Sequence, residues 1–162
     1  KLYFSGDDGV NGRELWVSDG TAAGTVLFKD IQAGSGSGSR PGAFTVIGAT
    51  MFFSADDGVN GRELWKTDGT PGGTLMIKDI LSGTGGSEPG SMVNMGGTLY
   101  FRASSGSDWE LWKSNGTALG TSVVKTIASG GADYPDSIRA LGSLLYFSGR
   151  DVSNGTELWI SD

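Results

Sequence analysis

The sequence predicts an all-β fold made of repeated, four-stranded antiparallel sheets, and three observations predict it. The tripeptide Glu-Leu-Trp recurs at Glu14–Trp16, Glu63–Trp65, Glu110–Trp112 and Glu157–Trp159, at intervals of 49, 47 and 47 residues. Glycine makes up 29 of 162 residues without a collagen period, which calls for many tight turns and short strands. No helical pattern of roughly 10–15 residues separates the apolar stretches, which excludes parallel βαβ units.

Each period reads as four strands in order. The second has Phe44–Ile47, Met51–Ser54, Glu63–Thr67 and Thr74–Ile80. Gly48-Ala49 is a two-residue turn between the first two strands, matched later by Gly96-Gly97 and Gly142-Ser143. The loop at 56–61 joins the second strand to the third, and the one at 68–73 joins the third to the fourth. Gly/Ser-rich stretches (Ala33–Gly42, Ser82–Ser91, Ala128–Asp136), each with one proline, lead to the next period. An apolar-aromatic-Phe run opens every second strand, at Leu2–Phe4, Met51–Phe53, Leu99–Phe101 and Leu145–Phe147. Alternation puts Glu63 and Trp65 on one face and Leu64 on the other, and it parts Phe52 from Phe53 in the same way. A sheet that is apolar on both faces needs cover on both, whereas a barrel or sandwich strand would show one polar face.

A meander of ~47 residues is the size of a β-propeller blade. The expectation is therefore a β-propeller of four-stranded antiparallel blades, about 3.5 of them here, forming one array over 1–162. The blade parts are 1–31 (partial), 43–80, 91–127 and 137–162 (partial). The chain opens on a second strand and closes on a third, so it holds 14 strands in groups of 3, 4, 4 and 3. This is expected of a window cut from a longer array, with the raw strand edges prone to edge-to-edge association.

Composition narrows the function. There is no His and no Cys, which removes His-dependent triads, thiol nucleophiles, Cys/His zinc sites and disulfides. Twelve basic and 18 acidic residues give a net charge of −6, unsuited to nucleic acid. No apolar run approaches the ~18 residues of a membrane span; the sequence contains no signal segment and opens at Lys1 without a Met, as expected of a mature chain or an excised piece.

The sharpest chemical pattern is Asp-x-x-Asn-Gly-x-Glu, at Asp8/Asn11/Glu14, Asp57/Asn60/Glu63 and Asp151/Asn154/Glu157. Its oxygens could ligate a hard cation such as Ca²⁺, the one cofactor the sequence suggests. The competing reading closes Asx-turns with Asp and Asn, and buries the glutamates Glu14, Glu63, Glu110 and Glu157 as acceptors for backbone or Arg/Lys groups. Trp16, Trp65, Trp112 and Trp159 are expected between blades. Asp19-Gly20-Thr21, Asp68-Gly69-Thr70 and Asn115-Gly116-Thr117, each with a Gly-Thr pair four residues beyond the glycine, read as structural turns. Residues that differ between periods are the ligand candidates: Arg40, Glu88, Asp108, Trp109, Asp133, Tyr134, Asp136 and Arg150. Trp109 and Tyr134 fall outside the repeat; beside carboxylates they would suit a sugar platform, or they pack loops against the sheets. Asn115-Gly-Thr and Asn154-Gly-Thr fit the N-glycosylation pattern, which the turns also explain.

Glu14-Leu15-Trp16-Val17-Ser18-Asp19-Gly20-Thr21, followed by Gly24-Thr25, resembles the ELWxxDGT repeat family of large bacterial surface or secreted proteins. The resemblance covers the whole chain, with Asn115 replacing the Asp in the third period and the fourth cut short at Asp162. A looser similarity is to YWTD-type propellers. Membership implies export and repetition but no defined activity. The expected role is an extracellular scaffold or adhesion protein, secreted or at the cell surface, that binds through loops rather than catalyses. Its expected partners are other blades of the same parent chain, other copies of it, or a cell-surface glycan. The alternatives are a propeller glycan hydrolase or lectin, and a purely structural fibre or sheath subunit.

Overall fold

In the computed structural model, every residue except Ser35, 130–134 and 152 is described. Fourteen strands appear in order: β1 (Leu2–Asp7), β2 (Arg13–Ser18), β3 (Val26–Lys29), β4 (Gly42–Ile47), β5 (Thr50–Asp56), β6 (Arg62–Thr67), β7 (Leu75–Lys78), β8 (Gly90–Met95), β9 (Thr98–Ser104), β10 (Asp108–Ser114), β11 (Ser122–Ser129), β12 (Asp136–Leu141), β13 (Leu144–Asp151) and β14 (Gly155–Ser161). They form four antiparallel meanders, β1–β3, β4–β7, β8–β11 and β12–β14, each hydrogen-bonded in chain order. The grouping of 3, 4, 4 and 3 is the one expected from the repeat. No helix among the described residues is long and apolar enough to cross a membrane.

Consecutive sheets pack face to face through the two sides separated by alternation. Leu15 from the first sheet meets Met51, Phe53, Ala55 and Trp65 of the second. Phe52, Leu64 and Ile77 of the second sheet meet Leu99, Phe101, Ala103 and Trp112 of the third. Leu111 and Ile127 of the third then meet Ile138, Leu145 and Phe147 of the fourth. Every sheet carries the same cross-strand pair of Phe on the second strand and Trp on the third. Phe4–Trp16, Phe53–Trp65, Phe101–Trp112 and Phe147–Trp159 have ring centroids 6.5, 6.4, 6.4 and 6.3 Å apart. First strands lie side by side, β4 beside β8 and β8 beside β12. Each first strand carries a bulge at its start, where Ala43, Ser91 and Ser137 take φ of 53°, 47° and 51°.

Three expectations are corrected. The fourth strand of the second sheet stops at Lys78 rather than Ile80, because the Ile80 and Leu81 amides leave the ladder for a side-chain acceptor described below. Trp65 and Trp112 are buried between sheets, but Trp16 and Trp159 are half-buried. Glu157 is exposed rather than buried, and its repeat counterparts show why. Glu14 and Glu63 find their acceptor sites filled by amides 17 and 18 residues downstream, positions that for Glu157 lie past Asp162.

The loops between sheets approach the backbone so closely that glycine is required. Gly86 has φ of 67°, and a Cβ there would stand 2.2 Å from the Arg62 amide nitrogen; at Gly38 the same atom would stand 2.3 Å from that of Arg13. Gly86→Ala is expected to lower stability by about 2 kcal/mol or more, through both the left-handed φ and the overlap with backbone. Chemical denaturation of the variant against the parent chain measures it; a change within experimental error would refute the close approach.

Candidate functional site

One end of the sheets gathers the loops from second to third strand and the long loops between sheets. Backbone hydrogen bonds hold them together. The Arg40 amide donates to Arg13 O (2.8 Å), the Asp56 amide to Ser39 O (3.0 Å), the Glu88 amide to Arg62 O (3.1 Å) and the Ser104 amide to Ser87 O (2.8 Å). Arg40 and Glu88 take φ of 48° and 52°, a conformation these anchored amides impose on non-glycine residues.

Beneath this end lies a buried carboxylate clasp, built twice. Glu63 accepts the amides of Ile80 (3.1 Å), Leu81 (3.1 Å) and Ser87 (2.9 Å), and the Ser87 hydroxyl donates to Oε2 at 2.6 Å. Glu14 repeats the arrangement with Ile31 (2.9 Å), Gln32 (3.2 Å), Ser39 N (2.8 Å) and the Ser39 hydroxyl (2.5 Å). Burial pushes the Glu63 carboxyl above its ordinary range, against the pull of its four donors. Near Glu14, the Asp30 carboxyl is raised as well, by burial first and then by the charges of Glu14 and Asp8. Of the donors expected for the glutamates, Glu14 and Glu63 receive backbone amides, joined in each case by a serine hydroxyl. Ser39 and Ser87 were not evident from the Glu-Leu-Trp repeat, although Gly38-Ser39-Arg40-Pro41 and Gly86-Ser87-Glu88-Pro89 are themselves a repeated signal.

The third period departs. Glu110 is buried and accepts the Trp112 indole N–H at 3.0 Å. In sequence, Asp133 stands where Ser39 and Ser87 stand, and a carboxylate cannot donate to another one. Asp133 and Tyr134, both expected ligand contacts, lie outside the described residues.

The loops suggested for calcium are closed on themselves. Asp8 Oδ1 accepts the amides of Val10 (2.9 Å) and Asn11 (2.8 Å), and Oδ2 accepts the Asn11 side-chain amide (2.8 Å). Asp57 does the same with Val59 (2.9 Å), Asn60 N (2.7 Å) and Asn60 Nδ2 (2.7 Å). Burial alone would raise the Asp57 carboxyl, but the Asn60 and Val59 donors hold it below its ordinary value. Asp8 is lowered by the same hydrogen bonds, the Asn11 amide first. Glu14 and Glu63 are turned into the clasps, so the Asp-x-x-Asn-Gly-x-Glu oxygens do not converge. Among the described residues no group of three acidic side chains is placed to hold a metal ion. The Asp151 side chain lies outside the description, and Asn154 is exposed.

Four of the variable residues fall into two groups, Arg40 with Glu88 and Trp109 with Asp136, each centred on an arginine outside the expected candidates. Arg62 donates to Arg40 O (2.7 Å) and Ser54 Oγ (3.0 Å), and its Nε lies 3.6 Å from Glu88 Oε2, so it ties both exposed candidates to one strand. Arg102 Nη1 lies 3.3 Å from Asp136 Oδ1, and its guanidinium sits 5.7 Å from the centre of the Trp109 ring. Ser91 Oγ is 2.5 Å from the same Asp136 oxygen, and this bond, then the Ser137 amide and Arg102, holds the Asp136 carboxyl below its usual range. Trp109 is half-buried, with one face toward Arg102. Arg102 did carry a signal, because the other periods have Ser5, Ser54 and Ser148 at that position. Asp108 is half-buried and its carbonyl accepts the Ser104 hydroxyl at 3.0 Å; Arg150 is exposed on β13.

No family model and no curated protein matches the chain. Among the solved structures that align with this chain are two of low sequence identity. The computationally designed Ika4 protein aligns over 97% of this chain and 82% of its own, at 13% identity and a TM-score of 0.49. A prolyl endopeptidase, from a structural and mechanistic analysis of two such enzymes, aligns over 93% of this chain at 15% identity and a TM-score of 0.51. This chain spans only 23% of that endopeptidase's length. At 15% identity the likeness to the endopeptidase concerns the all-β fold alone.

Two predictions follow from the clasps and the closed loops. Glu63→Ala is expected to cost about 3 kcal/mol, because it strands the buried amide and hydroxyl of Ser87 and the part-buried amides of Ile80 and Leu81, and Glu63→Gln to cost less, because an amide oxygen still accepts. Denaturation of both variants checks the order; equal losses would show that burial, not acceptance, is what the site needs. The unfolding midpoint is expected to be the same in chelator and in millimolar-range calcium, with Asp57→Ala costing on the order of 1 kcal/mol in each. A midpoint that rises with calcium in the parent chain and not in the variant would assign the loop to the metal.

Proposed function

We propose that the chain is a run of β-propeller blades from an extracellular scaffold or adhesion protein, which acts by binding through its loop-bearing rim and not by catalysis. One observation carries this reading: the repeated carboxylates of Glu14 and Glu63 are consumed in holding the rim loops, while the residues that vary between periods stand on top of them. A rim of this kind has a constant frame and exchangeable side chains, as a binding repeat requires. The succession of four face-packed meanders, three of them with their first strands side by side, supports the propeller arrangement, in blade parts 1–31, 43–80, 91–127 and 137–162.

Trp109, Arg102 and Asp136 are the most concentrated recognition chemistry on this rim. An indole face next to a guanidinium–carboxylate pair suits a sugar, with ring C–H groups on the aromatic and hydroxyls on the charged pair. The resemblance to ELWxxDGT repeats supports reading such a rim as extracellular, facing surface glycans or further copies of the same repeat. The test is binding of the fluorescent chain to a glycan array. Retention on a defined glycan class, weakened tenfold or more by Trp109→Ala with the fold intact by circular dichroism, is the expected outcome. Uniform absence of binding would remove the glycan partner and favour a purely structural subunit.

A further inference from the structure

The end of the sheets opposite the loop-bearing rim has its own chemistry. Antiparallel order places there the turns from third to fourth strand and the short hairpins from first to second. The tips of the longer turns are Ala22-Ala23, Pro71-Gly72 and Ala118-Leu119, all exposed and none charged. Leu119 is 100% exposed, at the position where the first two periods have Ala23 and Gly72. The first two turns have the following sheet in place, and their tips are exposed all the same. Exposure at this position therefore belongs to the turn itself.

The turn that carries Leu119 also holds more positive charge than its counterparts. Lys66 Nζ donates to Gly116 O at 2.7 Å and Lys78 Nζ to Thr121 O at 2.9 Å, so two ammonium groups are fixed on its carbonyls. The turn at 68–73 takes one, Lys29 on Pro71 O (3.2 Å), because Val17 stands in the first sheet where Lys66 stands in the second. Asp19 and Asp68 bring a carboxylate to the first two turns, each held by the amide and hydroxyl of the threonine two residues on. Asn115 makes the same two bonds with Thr117, at 3.0 and 2.7 Å, without the charge. The third turn thus gains an ammonium and loses a carboxylate while keeping the same hydrogen bonds. Asp68 on the neighbouring turn feels the Lys66 charge, but its Oδ1 is already taken by Thr70. Asp7, Asp8, Asp56, Asp57 and Glu88 lie at the other end of the sheets, so the net charge of −6 is unevenly spread.

We propose that this turn is a contact site for an anionic phospholipid bilayer, with Leu119 entering the headgroup region and Lys66 and Lys78 meeting lipid phosphates. An ammonium held by one carbonyl keeps two N–H donors for an anion. A protruding leucine offers a partner no groove, but a yielding interface accepts it. Two lysines and one leucine make a weak, reversible contact that salt screens. The contact lies at the end opposite the glycan-binding rim and does not depend on that reading.

The experiment is flotation of the 162-residue chain with vesicles of phosphatidylcholine, with and without phosphatidylglycerol, because protein aggregates alone do not float. The chain is expected to float with phosphatidylglycerol vesicles, less so as salt rises, and not with phosphatidylcholine alone. Two variants give the third turn what the first already holds, so neither threatens the fold. Asn115→Asp restores the carboxylate of Asp19 and is expected to weaken binding roughly fivefold, the effect of one charge near the surface. Leu119→Ala copies Ala23 and is expected to weaken it about tenfold. No flotation at low salt, equal flotation without phosphatidylglycerol, or binding that both variants leave unchanged would overturn the proposal. So would equal binding of soluble polyphosphate by the parent chain and Leu119→Ala, which would assign the turn to an acidic polymer.

Discussion

A buried carboxylate that takes four donors is the contact on which the rest of this structure depends. A ladder ends where its amides find another acceptor, and Glu63 supplies that acceptor to Ile80 and Leu81 at the end of β7. The chain then leaves its sheet and turns across the end of the stack, where Ser87 returns to the same carboxylate with both its amide and its hydroxyl. One side chain thus ends a strand and anchors the crossover to the next sheet. A charge removed from water is expensive unless its lone pairs are filled, and here the backbone fills them. The bond is directional, so it sets the path of the loop as well as its stability, which apolar packing between sheets could not do.

What rides on that anchor is the rim. Because Ser39 and Ser87 are fixed, the next residues, Arg40 and Glu88, are carried into left-handed backbone with their amides on the carbonyls of Arg13 and Arg62. Their side chains point outward from a rigid base, and Arg62 links the two successive loops. In the third sheet Arg102 replaces a small serine and draws Asp136 and Trp109 around itself. Variation is tolerated at these positions because none of them contributes to the clasp.

The third period shows what happens when the device changes. Glu110 takes the indole N–H of Trp112 as its partner, whereas Glu14 and Glu63 are directed to the loop; in sequence this period has Asp133 where the first two have Ser39 and Ser87. Its fourth strand runs on from Ser122 to Ser129, longer than β3 or β7. The glutamate is kept in all four periods, but its partner in the third differs from those in the first two. Glu157 shows the limiting case, exposed where no described loop reaches it.

The amino-acid pattern was sufficient for the strands, their order and their faces. Strand periodicity is a local property, so Leu64 and Trp65 had to part, as did Phe52 and Phe53, and both pairs did. The Asx turns at Asp8 and Asp57 were likewise legible, since their partners lie within three residues. Tertiary structure decided the rest. Whether the oxygens of Asp57, Asn60 and Glu63 converge could not be read from their spacing, because the donors that claim Glu63 lie 17 to 24 residues away. Nor could the pairing of Arg102 with Asp136, which are 34 residues apart and meet where the third and fourth sheets pack. Turns and strand faces follow from neighbouring dihedrals, but the partner of a buried charge is chosen by whichever donors the folded chain brings within reach.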